Sequence, residues 1–210
     1  MADYVTIEEL KADLPDVDLD TLADYDLVLA EMVTSASRLI DREVGGWPDY
    51  FISSTDDETR YYDGSGEQEQ HIDAMTSLTS VSVSESGGRA ATDYTDWTED
   101  TDFYVWPYNY SVVNQPIQKL IVDNDSGDKG KFSAVRKGVK VTGKFGYSTE
   151  VPDDVRQAAK IQAMRWFMRS KQSYQDTSAS ERLGQLLYTQ SLDPDVKRIL
   201  QAYKIGNAVM

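Results

Sequence analysis

Residues 144 to 159, KFGYSTEVPDDVRQAA, change period halfway along. Before Pro152 polar and apolar residues alternate, as in a strand with one open face. After it Val155, Ala158 and Ala159 fall at helical spacing. Pro152 is preorganised for a first helical turn and has no N–H to leave unpaired. Asp153 and Asp154 follow at the positive end of the helix dipole, with Arg165, Arg169 and Lys171 at its negative end. In the strand, Val139, Val141, Phe145 and Tyr147 take one face and Lys140, Thr142 and Lys144 the other, where lysines discourage edge pairing. In the helix, Ala159 and Ala163 permit close approach of a second helix, while Trp166 and Phe167 complete a broad apolar face.

That second helix is expected far upstream. Thr6-Ile-Glu-Glu9 has the spacing of a capping box and predicts a short helix, which Pro15 and the Asp-rich stretch after it interrupt. Asp20 is placed to cap a longer helix. Its apolar stripe is Tyr25, Val28, Leu29, Met32, Ala36, Leu39 and Ile40, and Gly45-Gly46 ends it. From Trp47 to about Tyr147 the period is two. ETRYYDGSGEQEQHI (58–72) reads as a hairpin, followed by strands in LTSVSVSES, DFYVWPYNY, IQKLIVDN and VRKGVKVTGKFGYS. After the Pro152 helix come a polar joint, a short helical stretch near Arg182 to Tyr188, and a last helix from Asp193-Pro194-Asp195 to about Tyr203. The expected class is α+β. A helical bundle built from residues 1–46 and 151–204 carries an inserted antiparallel sheet or small barrel at 47–150, with a tail at 205–210, in one compact domain. The expected bundle core is Met32, Ala36, Leu39, Ile40, Ala159, Ala163, Trp166 and Phe167.

Composition narrows the function. The chain carries 36 Asp and Glu against 21 Lys and Arg, a net charge of −15. Such a surface repels nucleic acid over distances that salt does not screen. The excess suits a protein that works at high salt and equally an ordinary acidic one, because lysine is not depleted relative to arginine. Residues 1 to 31 hold ten acids, among them Asp16, Asp18 and Asp20, against Lys11 alone. Residues 129 to 144 hold six bases, Arg136, Lys137, Lys140 and Lys144 among them, and no acid. Opposite blocks on one chain can be solvated faces, or can pair between copies packed front to back. There is no cysteine, hence no disulfide and no thiolate metal site. No apolar run approaches the roughly 18 residues of a membrane span, and the acidic start does not read as a secretory signal.

Motifs for chemistry are absent. His71 is the single histidine, and no serine sits in a G-x-S-x-G elbow. No phosphate-cradling glycine loop or H-E-x-x-H pair occurs. An acid/base carboxylate pair needs one desolvated member, and most acids here lie in polar stretches. DNDSGD (123–128) departs from the calcium-loop pattern at positions five, six and twelve and reads as a hairpin turn. Tyr104, Trp106, Tyr108 and Tyr110 share one face if the segment is extended. That stripe would suit a carbohydrate-binding module, or else a core or interface face. No catalytic residue, cofactor or metal ligand is assigned.

Several stretches together carry a resemblance: ASRLIDREVG (36–45), TRYYDGSG (59–66), LTSVSVSE (78–85), DFYVWPYN (102–109), GVKVTGKFGYS (138–148) with VPDDVRQAAKIQAMRWFMRSK (151–171), and DPDVKRILQAYK (193–204). In that order they resemble the head-to-tail connector, or adaptor, proteins of tailed bacterial and archaeal viruses. The resemblance implies a non-enzymatic virion protein, assembled in the host cytoplasm into a ring of about twelve copies below the portal. Its implied partners are itself, the portal protein and the next neck or tail-completion protein. Packaged DNA passes through without specific binding, and no membrane is involved. Carried onto this chain, the portal-binding arm would comprise Leu200, Tyr203, Lys204, Ile205, Val209 and Met210. Charged subunit contacts would use Asp16, Asp18 and Asp20 against Arg136, Lys137, Lys140 and Lys144.

Overall fold

The computed structural model describes residues 2–13, 25–87, 93–125, 127–171, 177–179, 186–188 and 192–205. The chain divides into two units: a helical one from residues 1–50 and 151–210, and a sheet unit from residues 51–150.

In the helical unit, α1 (Ile7–Ala12) opens on the reciprocal capping box of Thr6 and Glu9. Helix α2 (Asp26–Val44) stops at Gly45, whose φ of 81° lies in the left-handed region that glycine adopts without strain. Asp20, the expected cap of this helix, lies outside the described residues. The buried stripe is Leu29, Met32, Val33, Ala36, Ser37, Ile40, Asp41 and Val44. It is rotated from the apolar pattern: Tyr25 is exposed and Val28 and Leu39 are half-buried, while Ser37 and Asp41 face inward. Helix α4 (Asp153–Lys171) packs on α2, and its Val155, Ala158, Ala159, Ala163 and Phe167 are fully buried; Trp166 is half-buried. Pro152 sits one residue before the helix, its carbonyl accepting the first helical bond from Arg156 N–H at 2.9 Å. Helix α5 (Pro194–Leu200) packs on α4, and a 3-10 turn (Gln201–Tyr203) follows it. Asp193 caps α5 by accepting the Asp195 N–H, and Arg165 of α4 holds the same carboxylate at 2.8 Å. The helical stretch expected near Arg182–Tyr188 is instead strand at its end: β8 (Leu186–Tyr188) pairs antiparallel with β7 (Thr177–Ala179). Gly184 within that run works against helix propagation, at a cost of about 1 kcal/mol relative to alanine.

The sheet unit is built on β1 (Glu58–Tyr62), β2 (Glu69–Val83), β3 (Thr95–Trp97), β4 (Phe103–Trp106), β5 (Ile117–Val122) and β6 (Val139–Phe145), with a one-turn helix α3 (Tyr110–Val113) between β4 and β5. The order is β1-β6-β2-β5-β4, antiparallel throughout, with β3 beside the end of β2. The sheet is open, so the barrel alternative is set aside. Nor do β1 and β2 form the expected hairpin: β6 inserts between them. Their connecting turn is held from outside, Gly64 N–H donating to the Val135 carbonyl at 2.9 Å. Likewise β5 and β6 are not neighbours, so the described residues between them, 123–125 and 127–138, belong to a long crossing connection rather than a hairpin turn. With strands on both sides of β6, its lysines cannot serve to guard an edge. The 15-residue β2 pairs with β5 over its first half and β6 over its second, and bulges mark the change. At one of them Gly143 lies against the Ser77 carbonyl so closely that a Cβ would stand 2.3 Å from its oxygen. Ile72, Met75, Val81, Phe103, Val105, Leu120, Val139, Val141 and Phe145 form the core face. Phe132, from the basic loop, closes over it and stacks on Trp97 at 4.9 Å.

Candidate interaction surfaces

An internal polar network fixes the N-terminal segment to α2. Tyr4 and Asp41 are each 2% exposed, and the Tyr4 hydroxyl donates to Asp41 Oδ1. Asp41 Oδ2 accepts the Asp49 N–H at 3.1 Å, and Arg38 lies 3.4 Å from the same oxygen and 2.7 Å from Asp49. Burial pushes the Asp41 carboxyl above the usual aspartate range, against the opposing pull of the Tyr4 hydroxyl, the backbone donors and Arg38. The hydrogen bonds offset part of the cost of placing a carboxyl group there. This is scaffold, and sequence periodicity gave no signal for it, because Ser37 and Asp41 lie outside the apolar stripe of the helix pattern.

The residues expected to form a portal arm divide. Leu200 is buried in the helical core. Tyr203 donates its hydroxyl to both Asp154 oxygens, at 2.7 and 2.8 Å, and so ties the 3-10 turn to the start of α4. Lys204 and Ile205 are exposed, although the Ile205 N–H donates to the Val44 carbonyl at 2.9 Å. Val209 and Met210 lie outside the described residues, as do Asp16, Asp18 and Asp20 of the acidic block. Three described acids of that block are ion-paired within their own unit: Glu9 with Arg156, Asp13 with Lys160 and Asp26 with Lys11. The Thr6 backbone N–H holds Glu9 below its ordinary pKa, burial opposing and Arg156 and Lys160 assisting.

The basic block runs from the loop before β6 into β6 itself. Arg136 and Lys137 are exposed, and Lys140 and Lys144 are half-buried beside Thr142. Tyr61 of β1 lies opposite Lys140 in register, and the Tyr94 ring is 6.2 Å from that of Tyr61. The Lys137 ammonium sits 5.9 Å from the centre of the Tyr61 ring and that of Lys140 5.5 Å from Tyr94. The Tyr94 hydroxyl donates to the Lys137 carbonyl at 2.6 Å. Sequence reading named the lysines but missed both tyrosines, because only the register brings them together.

The fourth surface is aromatic. β4 ends at Trp106, and Tyr110 begins α3, so the four aromatics do not line one extended face. Tyr108 meets both Trp106 and Tyr104 edge to face, at 4.9 and 6.1 Å, which gives a knob rather than a flat platform. Val112 and Val113 of α3 are exposed beside it in sequence. The Tyr104 hydroxyl donates to Asp123 at 2.9 Å, which together with Asp100 and Asp125 holds it above the ordinary tyrosine range. In the DNDSGD loop Asp123 Oδ1 accepts the Asp125 N–H, a local aspartate turn. Among the described residues no group of three His, Asp or Glu side chains is arranged to hold a metal ion. No described helix is long and apolar enough to cross a membrane.

No protein-family model matches the chain, and no curated protein does. Solved structures do. A chain from the neck of an empty GTA particle computed with C6 symmetry aligns over 94% of this chain and 85% of its own, with a TM-score of 0.51 and 13% identity. A chain from the neck of a native GTA particle computed with C12 symmetry aligns over 97% and 94%, with a TM-score of 0.49 and 14% identity. The likeness is one of fold: the α+β arrangement of this chain is also found in a component of a particle neck.

Proposed function

We propose that this chain is a structural neck protein: about twelve copies close into a ring that joins the portal vertex of a tailed-virus-like particle to its tail and surrounds the DNA exit channel. The observation that carries this reading is the fold, shared along nearly the whole chain with a neck component. The order of the resembling segments from ASRLIDREVG to DPDVKRILQAYK supports it. So does the charge. A conduit for DNA wants little attraction to phosphate, and twelve copies at −15 each sum to about −180.

Within this reading the portal arm begins at Lys204, because Leu200 and Tyr203 are committed to the helical unit. The basic run 129–144 supplies one face of a head-to-tail contact. Net repulsion between subunits acts over longer range than contacts buried in an interface, so added salt strengthens assembly. Electron-microscope class averages of the purified full chain test the proposal. Closed rings with a central hole are expected, and dispersed single molecules at every salt concentration from 0.1 M to 2 M would refute it.

A further inference from the structure

We propose that neighbouring copies meet through opposite edges of the sheet: the acidic, aromatic β4 edge of one copy seats on the lysine–tyrosine patch beside β1 of the next. This deepens the ring reading and rests on it. The first support is the placement of apolar surface. The exposed large apolar residues of the sheet unit, among those described, are Tyr61, Trp106, Tyr108, Val112 and Val113. Tyr61 belongs to the β1 patch and the other four to the segment that leaves β4. Exposed aromatics gathered in two places and rimmed by charge have the composition of interface cores.

The second support is charge. Among the described residues, no carboxylate lies within ion-pair distance of Lys137 or Lys140, whose ammonium groups rest over Tyr61 and Tyr94. The β4 side is the reverse. Glu99, Asp100 and Asp102 precede the strand, Asp125 follows β5, and none is in an ion pair. Burial, with the neighbouring Asp100 charge adding to it, pushes the Glu99 carboxyl above its ordinary range. Lys137 and Lys140 on one side, and Glu99, Asp100, Asp102 and Asp125 on the other, are thus charges of opposite sign outside any ion pair among the described residues.

The third support is topology. Four antiparallel steps separate β1 from β4, so the two edges run in the same direction. Copies related by rotation about one axis then present unlike edges to each other, a heterologous contact that can close a ring. Within one molecule the lysine–tyrosine patch lies on the β6 side of β2, and the β4 segment lies on its β5 side, at the other edge of the open sheet. The occupant of each patch is a second copy of the chain.

The chain has no cysteine, so introduced thiols are unique. Tyr108→Cys and Lys137→Cys variants of the full chain are mixed and treated with a short bis-maleimide. A linked dimer in the mixture, none in either variant alone, and a ladder from the double variant are expected. Lys137→Glu with Lys140→Glu should raise the concentration needed for assembly at least tenfold at fixed salt, and adding Glu99→Lys with Asp100→Lys should restore it. Rings without cross-links would overturn this contact and leave the ring reading standing. Absence of both rings and cross-links would overturn both. Linkage of Tyr108→Cys to itself would overturn the unlike-edge geometry.

Discussion

Replacing Tyr4 by phenylalanine removes one hydroxyl and keeps the ring. The hydroxyl donates to Asp41, whose carboxylate is 2% exposed and has the Asp49 N–H and Arg38 as its other partners. Leaving a buried carboxylate one donor short costs about 1–3 kcal/mol. Packing should change little, since the Tyr4 N–H to Ser37 Oγ bond at 3.0 Å holds the segment in place. Urea unfolding should show a loss near 2 kcal/mol with an unchanged denaturant slope, corresponding to a Tm drop of about 4–8 °C for a chain of this length. Asp41→Asn provides the control. In that background Tyr4→Phe should cost much less, and the difference between the two backgrounds measures the pairing. A loss below about 0.5 kcal/mol in the unmodified chain would show that Asp41 is satisfied without Tyr4, and the proposed locking of the N-terminal segment would fall.

The same aspartate has a pH signature. Its folded pKa is raised, so its contribution to stability is fully present below the unfolded value of 3.8 and is lost as pH rises through the folded pKa. The stability difference between the unmodified chain and Asp41→Asn should therefore shrink with rising pH above about 4 and then level off; growth over that window would reverse the sign. Ala163→Arg places a charged side chain at a fully buried position of α4, the helix that packs on α2. Overpacking and charge burial together should cost more than about 4 kcal/mol, and a variant with native helical circular dichroism and an unshifted Tm would refute that packing. Phe132→Ala should cost about 3–5 kcal/mol and alter Trp97 fluorescence, because the ring is fully buried against that indole.

The capped helices were legible because their signals are local, whereas the one-turn α3 (Tyr110–Val113) and the strand at Leu186–Tyr188 were not. The Thr6 capping box, the Gly45 stop, the Pro152 start and the Asp193 cap each act within one turn. The strands were legible as strands, yet their partners were not. Nothing in ETRYYDGSGEQEQHI tells that its first arm pairs with β6, some 70 residues later, while β6 pairs in turn with the later half of β2. Register depends on long-range pairing, and the turn that mimics a hairpin is stabilised by Val135 from outside it. Hydrophobic periodicity also misplaced the buried face of α2, since Ser37 and Asp41 hold core positions by hydrogen bonding rather than by apolarity. The basic block was visible as six charges in the sequence; the tyrosines beneath Lys137 and Lys140 belong to strands and loops far away in it.

Sedimentation of the full chain decides most directly whether this sequence encodes a ring subunit. At about 2 M salt the expected result is one discrete species near 280 kDa, about twelve times the 23.6 kDa chain, that fades as salt is lowered. A 23.6 kDa particle persisting at every salt and protein concentration would contradict it.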